Sequence, residues 1–86
     1  VNQLIQFPDR EEWDESSEVV RFPVLISGLL AECTISQTLL FQRYGEQDAA
    51  LVLFQQNRWD IEEEFEALVA QGLDDENGVY VLSEDR

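Results

Sequence analysis

Histidine and lysine are both missing from this 86-residue sequence, and cysteine occurs once, as Cys33. Without histidine there is no Ser–His or Cys–His pair for nucleophilic catalysis, and no classical zinc site. A metal would have to be held by carboxylates alone, which suits Mg²⁺ or Ca²⁺ weakly. A single cysteine allows no intramolecular disulfide, which fits a reducing compartment. Four glycines form no phosphate-cradling loop. No apolar run exceeds six residues, far short of the roughly 20 that span a bilayer. The N-terminus shows neither a basic leader nor an apolar stretch of signal-peptide length. The expectation is a cytoplasmic protein without a membrane segment, cofactor or metal, and without enzymatic activity.

Positive charge is the other scarcity. Nineteen Asp and Glu stand against five Arg, for a formal charge of −14. With no basic patch to displace counterions, direct nucleic-acid binding is disfavoured, and so is an anionic membrane surface. With this many acids, two neighbouring carboxylates say little about acid–base chemistry. A basic protein partner, a cation or plain solubility remains compatible with the charge.

What is present is enough for a fold. At 44% hydrophobic, with two Trp, five Phe and two Tyr, residues 1–86 read as one domain that buries about 60–65% of its unfolded surface. Residues 3–7 form a short apolar run ended by Pro8, read as an edge strand. Residues 11–14 read as a second strand, and 15–18 as a polar turn that sets Trp13 opposite Val20.

Residues 19–26 alternate, with Val20, Phe22, Val24 and Ile26 on one face and Val19, Arg21, Pro23 and Leu25 on the other. Ser27-Gly28 is a two-residue hairpin turn. It pairs Ile26 with Leu29, Val24 with Ala31, Phe22 with Cys33 and Val20 with Ile35, all apolar. A slip by one residue would place Arg21, Glu32 and Thr34 in that face instead. Cys33 therefore reads as a small buried hydrophobe. In this register the missing N–H of Pro23 faces away from the Glu32 strand. A neighbour on that side must pair short of Pro23 or bulge around it.

The second half is helical. Ser36 is placed to cap a helix carrying Leu39, Leu40 and Tyr44, with Gly45 as its stop. Asp48 is expected to start the next, in which residues 49–54 are apolar nearly all round and expected to be buried. The last helix puts Ile61, Phe65, Leu68 and Val69 on one stripe, with Glu62, Glu63 and Glu66 directed away. Asp60 and Glu63 resemble a capping box, and Gly72-Leu73 a left-handed stop. One continuous helix over 48–71 would align Phe54 with Ile61 and Phe65, but it would put Asn57 and Arg58 on the apolar face and leave Asp60 no end to cap. A break near Asn57-Arg58 is favoured. Residues 74–78 are an acidic turn, 79–82 a last strand, and 83–86 a frayed tail. Read as an EF-hand loop, the acidic turn would place its first ligand at Leu73, which cannot coordinate calcium.

These elements predict an α+β fold: a small antiparallel sheet of N-terminal strands, hairpin and C-terminal strand, with two to three helices on one face. The candidate interaction residues are Arg58, Trp59, Glu63, Glu66, Leu25 and Leu30. Arg58 lies just before an acidic cluster, and its simplest role is structural, pairing with a nearby Glu or with carbonyls ending the preceding helix. Glu63 and Glu66 offer an acidic face. Leu25 and Leu30 sit opposite each other on the outer sheet face.

The residues Trp13-Asp14, Phe22, Gly28, Cys33, Ile35 and Phe54, with the run Arg58-Trp59-Asp60-Ile61-Glu62-Glu63, resemble a family of short bacterial proteins, domain of unknown function 1488. The resemblance spans nearly the whole chain. It implies a compact α+β domain with an antiparallel sheet and helices packed on one face, and brings no assigned activity, cofactor or catalytic residue. The expected function is that of a small non-enzymatic regulatory or adaptor protein, acting on an unidentified and basic protein partner. The alternatives are an acidic nucleic-acid mimic that blocks a basic groove and, last, a carboxylate enzyme or metal binder.

Overall fold

The computed structural model describes residues 4–84. Its centre is the hairpin of β3 (Val19–Ile26) and β4 (Leu29–Ser36), paired in the expected register from Ile26↔Leu29 to Val20↔Ile35. Ser27 and Gly28 both take positive φ, 51° and 87°, the type I′ conformation that matches strand twist. Val20, Phe22, Val24, Cys33 and Ile35 are buried on one face.

Pro23 shapes the edge of the sheet. β1 (Ile5–Gln6) and β2 (Glu12–Asp14) both run antiparallel to β3 along its outer side. β2 pairs with residues 19–21 and β1 with Leu25 and Ile26. Between them the chain leaves the sheet and passes around Pro23, whose ring nitrogen has no hydrogen to donate. Trp13 lies opposite Val20. The first strand is shorter than the run 3–7 suggests, and Gln3 lies outside the described residues.

Three helices cover the inner face. α1 (Gln37–Tyr44) is capped by Ser36, whose Oγ accepts the Leu39 N–H at 3.1 Å, and stops at Gly45. α2 (Ala50–Gln56) lies over β2 and β3, and α3 (Arg58–Ala70) over β5. The break falls at Asn57. Its Nδ2 donates to the Leu53 carbonyl at 2.9 Å, and its own carbonyl accepts the Ile61 N–H. One residue thus closes α2 and opens α3.

Two caps differ from expectation. α2 begins after Ala49 with no side-chain cap, so Asp48 does not start it, and both Ala49 and Val52 are exposed. Only Ala50, Leu53 and Phe54 of that helix are buried, because a helix lying on a sheet hides one side. Asp60 is an exposed first-turn residue, not a cap, since Asn57 already occupies the N-cap position. At the other end the left-handed stop is present: Gly72 (φ 66°) donates to the Val69 carbonyl and Leu73 to that of Leu68, a Schellman motif.

The last strand, β5 (Val79–Leu82), pairs parallel to β4. The sheet is therefore mixed, in the order β1-β3-β4-β5 with β2 beside β3. Alternation in 79–82 marks a strand but not its direction. Direction follows from the long helical crossover, the kind of connection parallel pairs require. The tail is not frayed as far as Glu84, whose Oε1 accepts the Ser36 hydroxyl at 2.8 Å; residues 85–86 lie outside the described residues.

Phe22 joins the layers. Its ring lies 4.7 Å from that of Phe54 in α2 and 4.9 Å from Phe65 in α3, the latter edge-on, with Phe7 at 6.2 Å from the N-terminal side. Leu39 and Leu40 of α1, Ala50 and Leu53 of α2, and Ile61, Leu68 and Val69 of α3 complete the helical side of the core. Phe22→Ala or Phe65→Ala should each cost about 3–5 kcal/mol in urea unfolding, a large part of the stability of so small a chain. Asp60→Ala should cost less than about 0.5 kcal/mol, a helix-dipole effect rather than a lost cap.

Candidate functional site

The detour around Pro23 leaves residues 7–11 without a strand partner, and Arg58 holds them. As the first residue of α3, next to the α2–α3 joint, it directs its guanidinium toward that segment. The group pairs with Glu11, with Asp9 at 3.3 Å and with Glu62 one turn on at 3.1 Å. Its Cζ lies 5.1 Å from the centre of the Phe54 ring, a cation–π distance. Gln55 adds a hydrogen bond to Glu11 at 3.0 Å. Only 17% of the Arg58 side chain and 11% of that of Glu11 remain exposed.

Arg58 is therefore a structural clamp, pairing with carboxylates and not with helix-end carbonyls. Its partner Glu11 lies 47 residues away in sequence, and nothing in the local pattern around Glu11 marks it. Burial opposes ionisation of Glu11, but hydrogen bonds from Arg58 and Gln55 outweigh it and hold the carboxyl below its ordinary value of 4.5.

A second cluster lies on the outer face. Arg21 reaches Asp14 at 2.5 Å on one side and Glu32 on the other, bridging β2, β3 and β4. Hydrogen bonds from Arg21, then Ser16 and Ser17, hold the Asp14 carboxyl down at about 2. Cys33 is fully buried; burial, reinforced by Glu32, pushes its thiol up to about 12, so it stays a protonated hydrophobe. In the acidic turn, Asp75 Oδ1 accepts the N–H groups of Asn77 and Val79 at 2.8 and 3.0 Å, an ordinary Asx turn.

Ion pairing sorts the glutamates of α3. Glu62, expected to point away, is half-buried and held by Arg58, and Glu64 pairs with Arg43 of α1. Among the described residues, Asp60, Glu63 and Glu66 have no such partner, and all three are exposed. Trp59 is 85% exposed and lies outside the core. At 3.6 residues per turn, Trp59, Glu63, Glu66 and Ala70 fall on one outward stripe about 16 Å long. Beside its head lies a polar hollow of about 300 Å³ lined by Gln55, Gln56, Asn57 and Asp60. Leu25 is half-buried and Leu30 71% exposed, on the far side of the sheet. The six candidates thus occupy three places: a clamp at Arg58, a helix ridge with Trp59, Glu63 and Glu66, and the open sheet face with Leu25 and Leu30.

The model of a protein family described as "Protein of unknown function (DUF1488)" matches residues 5–82. The uncharacterized protein YrdB of Escherichia coli K12 is 45% identical over 80 residues, covering 91% of this chain and 94% of that protein. YrdB of Shigella flexneri is 44% identical over the same shares. A crystal structure of a DUF1488-family protein of unknown function from Shewanella loihica PV-4 superposes with a TM-score of 0.88 at 32% identity. That match covers 95% of this chain and 94% of the other.

Arg58→Ala should destabilise by about 1–3 kcal/mol, the scale of hydrogen bonds to charged groups. Arg58→Lys should recover only part of this, having no planar fork to serve two carboxylates. Because the folded pKa of Glu11 is lowered, its contribution is present above its ordinary value and is lost as pH falls through the folded one. The stability difference between wild type and Arg58→Ala should therefore shrink on acidification below about pH 4.5 in urea titrations at a series of pH values.

Proposed function

We infer that this chain, which belongs to the DUF1488 family, is a non-enzymatic regulatory or adaptor protein of the bacterial cytoplasm that works by protein–protein contact. Its contact surface is the outward ridge of α3, and its partner is basic. The observation that carries this reading is Trp59, a large aromatic held almost wholly in solvent at the head of a stripe with Glu63 and Glu66. Tryptophan is a frequent anchor of protein interfaces. Its indole face, with unpaired carboxylates nearby, suits an arginine or lysine of the partner. The acids supply a field that reaches about 8–10 Å at physiological ionic strength, enough to steer a basic surface into register. Pairing of Glu11, Glu62 and Glu64 with arginines removes those acids from the task and leaves Asp60, Glu63 and Glu66 as the uncompensated acids of α3. No helix among the described residues is long and apolar enough to cross a membrane, and nothing in this reading requires one.

A second reading rests on the three-residue spacing of Asp60, Glu63 and Glu66: the row stands in for nucleic-acid phosphates in the basic groove of a DNA- or RNA-binding partner. Competition separates the two. Duplex DNA or RNA displaces a mimic from its partner and leaves an ordinary adaptor complex in place.

Capture of partner from lysate by the immobilised protein should weaken at high salt. It should fall about 30-fold with Trp59→Ala, the effect of losing a roughly 2 kcal/mol anchor, and comparably with Glu63→Lys/Glu66→Lys. Leu25→Glu should leave it unchanged. Capture that survives both ridge changes and is lost with Leu25→Glu would overturn the assignment to the ridge.

A further inference from the structure

We propose that the helix-free face of the sheet is the docking surface for a second copy of this chain, related to the first by a two-fold axis. All three helices pack on the other face, leaving Val19, Pro23 and Leu25 of β3, Leu30 of β4, and Val79 and Val81 of β5 without a covering layer. Charge selects the occupant. Each copy carries −14, yet no charged residue lies between Arg21 and Glu32 or between Leu4 and Pro8. Glu32, which lies between Pro23 and Val79 in the middle of this face, is already paired with Arg21, as is Asp14. Two strongly acidic molecules repel at every approach that presents uncompensated acids and least at this one. A basic partner gains less here than on the ridge, because Asp14 and Glu32 are already engaged by Arg21, leaving Glu12.

Shape points to the same occupant. A two-fold contact must be self-complementary, and this face holds both a projection and a recess. Leu30 stands 71% exposed beside a groove of about 580 Å³ with Pro23 and Val79 in its lining. The rim carries both signs of charge, Arg10 against Glu12 and Glu32. At about 3.3 Å per residue and about 4.8 Å per strand, the uncovered face measures roughly 400–500 Å². Two such faces bury about 800–1,000 Å², at the small end for a specific interface, so the dimer is weak and reversible. Its α3 ridges point away from each other on opposite sides of the pair. The dimer does not depend on the ridge being a binding surface, though it would make such a surface bivalent.

The test is sedimentation velocity of the full chain from micromolar to near-millimolar concentration at low and high salt. The expected result is a monomer–dimer equilibrium that high salt strengthens, because screening removes repulsion between like-charged copies; ridge binding responds to salt in the opposite sense. Leu30→Glu should abolish the dimer. Leu29→Glu should leave it intact, since Leu29 is 75% exposed at the same hairpin end but alternates to the helix side of β4. Glu63→Lys should also leave it intact. A chain that stays monomeric at every concentration and salt overturns the proposal and leaves the face to a different partner. A dimer lost equally with Leu29→Glu and Leu30→Glu overturns the assignment to this face.

Discussion

The register of β3 against β4 is the constraint on which the rest of the structure depends. A side-chain period of two means that a shift of one residue would exchange the two faces of the hairpin completely. In the register present, Phe22 points inward and becomes the ring on which Phe7, Phe54 and Phe65 converge. The same register turns Pro23 outward, where its missing N–H splits the neighbouring chain into β1 and β2. The aromatic core and the interrupted sheet edge are two consequences of one alignment.

The interruption creates a problem that Arg58 answers. A segment displaced from a sheet edge loses its ladder bonds and needs other anchors. Arg58 supplies them through Glu11 and Asp9, and the position of Arg58 depends on Asn57 ending one helix and starting the next. Continuing the α2 helix through Asn57 would turn Arg58 onto the apolar face, where a guanidinium cannot be accommodated unpaired. The helix break and the sheet break are thus coupled through one ionic cluster, over a sequence distance that local preferences do not reach.

Electrostatics then divides the surface. Each arginine engaged by carboxylates, at positions 21, 43 and 58, takes acids out of play at a junction between elements. Uncompensated acids remain on the outer side of α3 and in the turn that follows it, as well as at Glu12, Glu15, Glu18, Glu46 and Asp48, and the hairpin end bears no charge at all. In a chain of −14 with so few cations, Arg21 and Arg58 each serve more than one acid, and Arg43 joins α1 to α3 through both oxygens of Glu64. A bivalent guanidinium fork suits that role better than an ammonium point charge, and every cation in this chain is arginine.

By itself the sequence determined the features whose causes are local. Ser27-Gly28 sets the hairpin turn, apolar alternation sets its register, Ser36 and Gly45 bound α1, and Gly72 ends α3, because each depends on backbone geometry within a few residues. It also limited the edge pairing through Pro23, and it marked Glu63 and Glu66 as an outward acidic face by helical spacing. Tertiary structure decided what depends on distant neighbours. The direction of β5 follows from where the helical crossover delivers the chain, which alternation in four residues does not encode. Asp60 is not a cap because Asn57, fixed by its bond to Leu53, takes that position first. Glu62 is turned from a surface acid into a clamp partner by Arg58, and Glu11 is recruited from the far end of the chain. Trp59 stands in solvent because the layer beneath α3 is already filled by Ile61, Phe65 and Leu68. Hydrophobic periodicity identifies which residues can be buried; only the packed layers determine which of them find room.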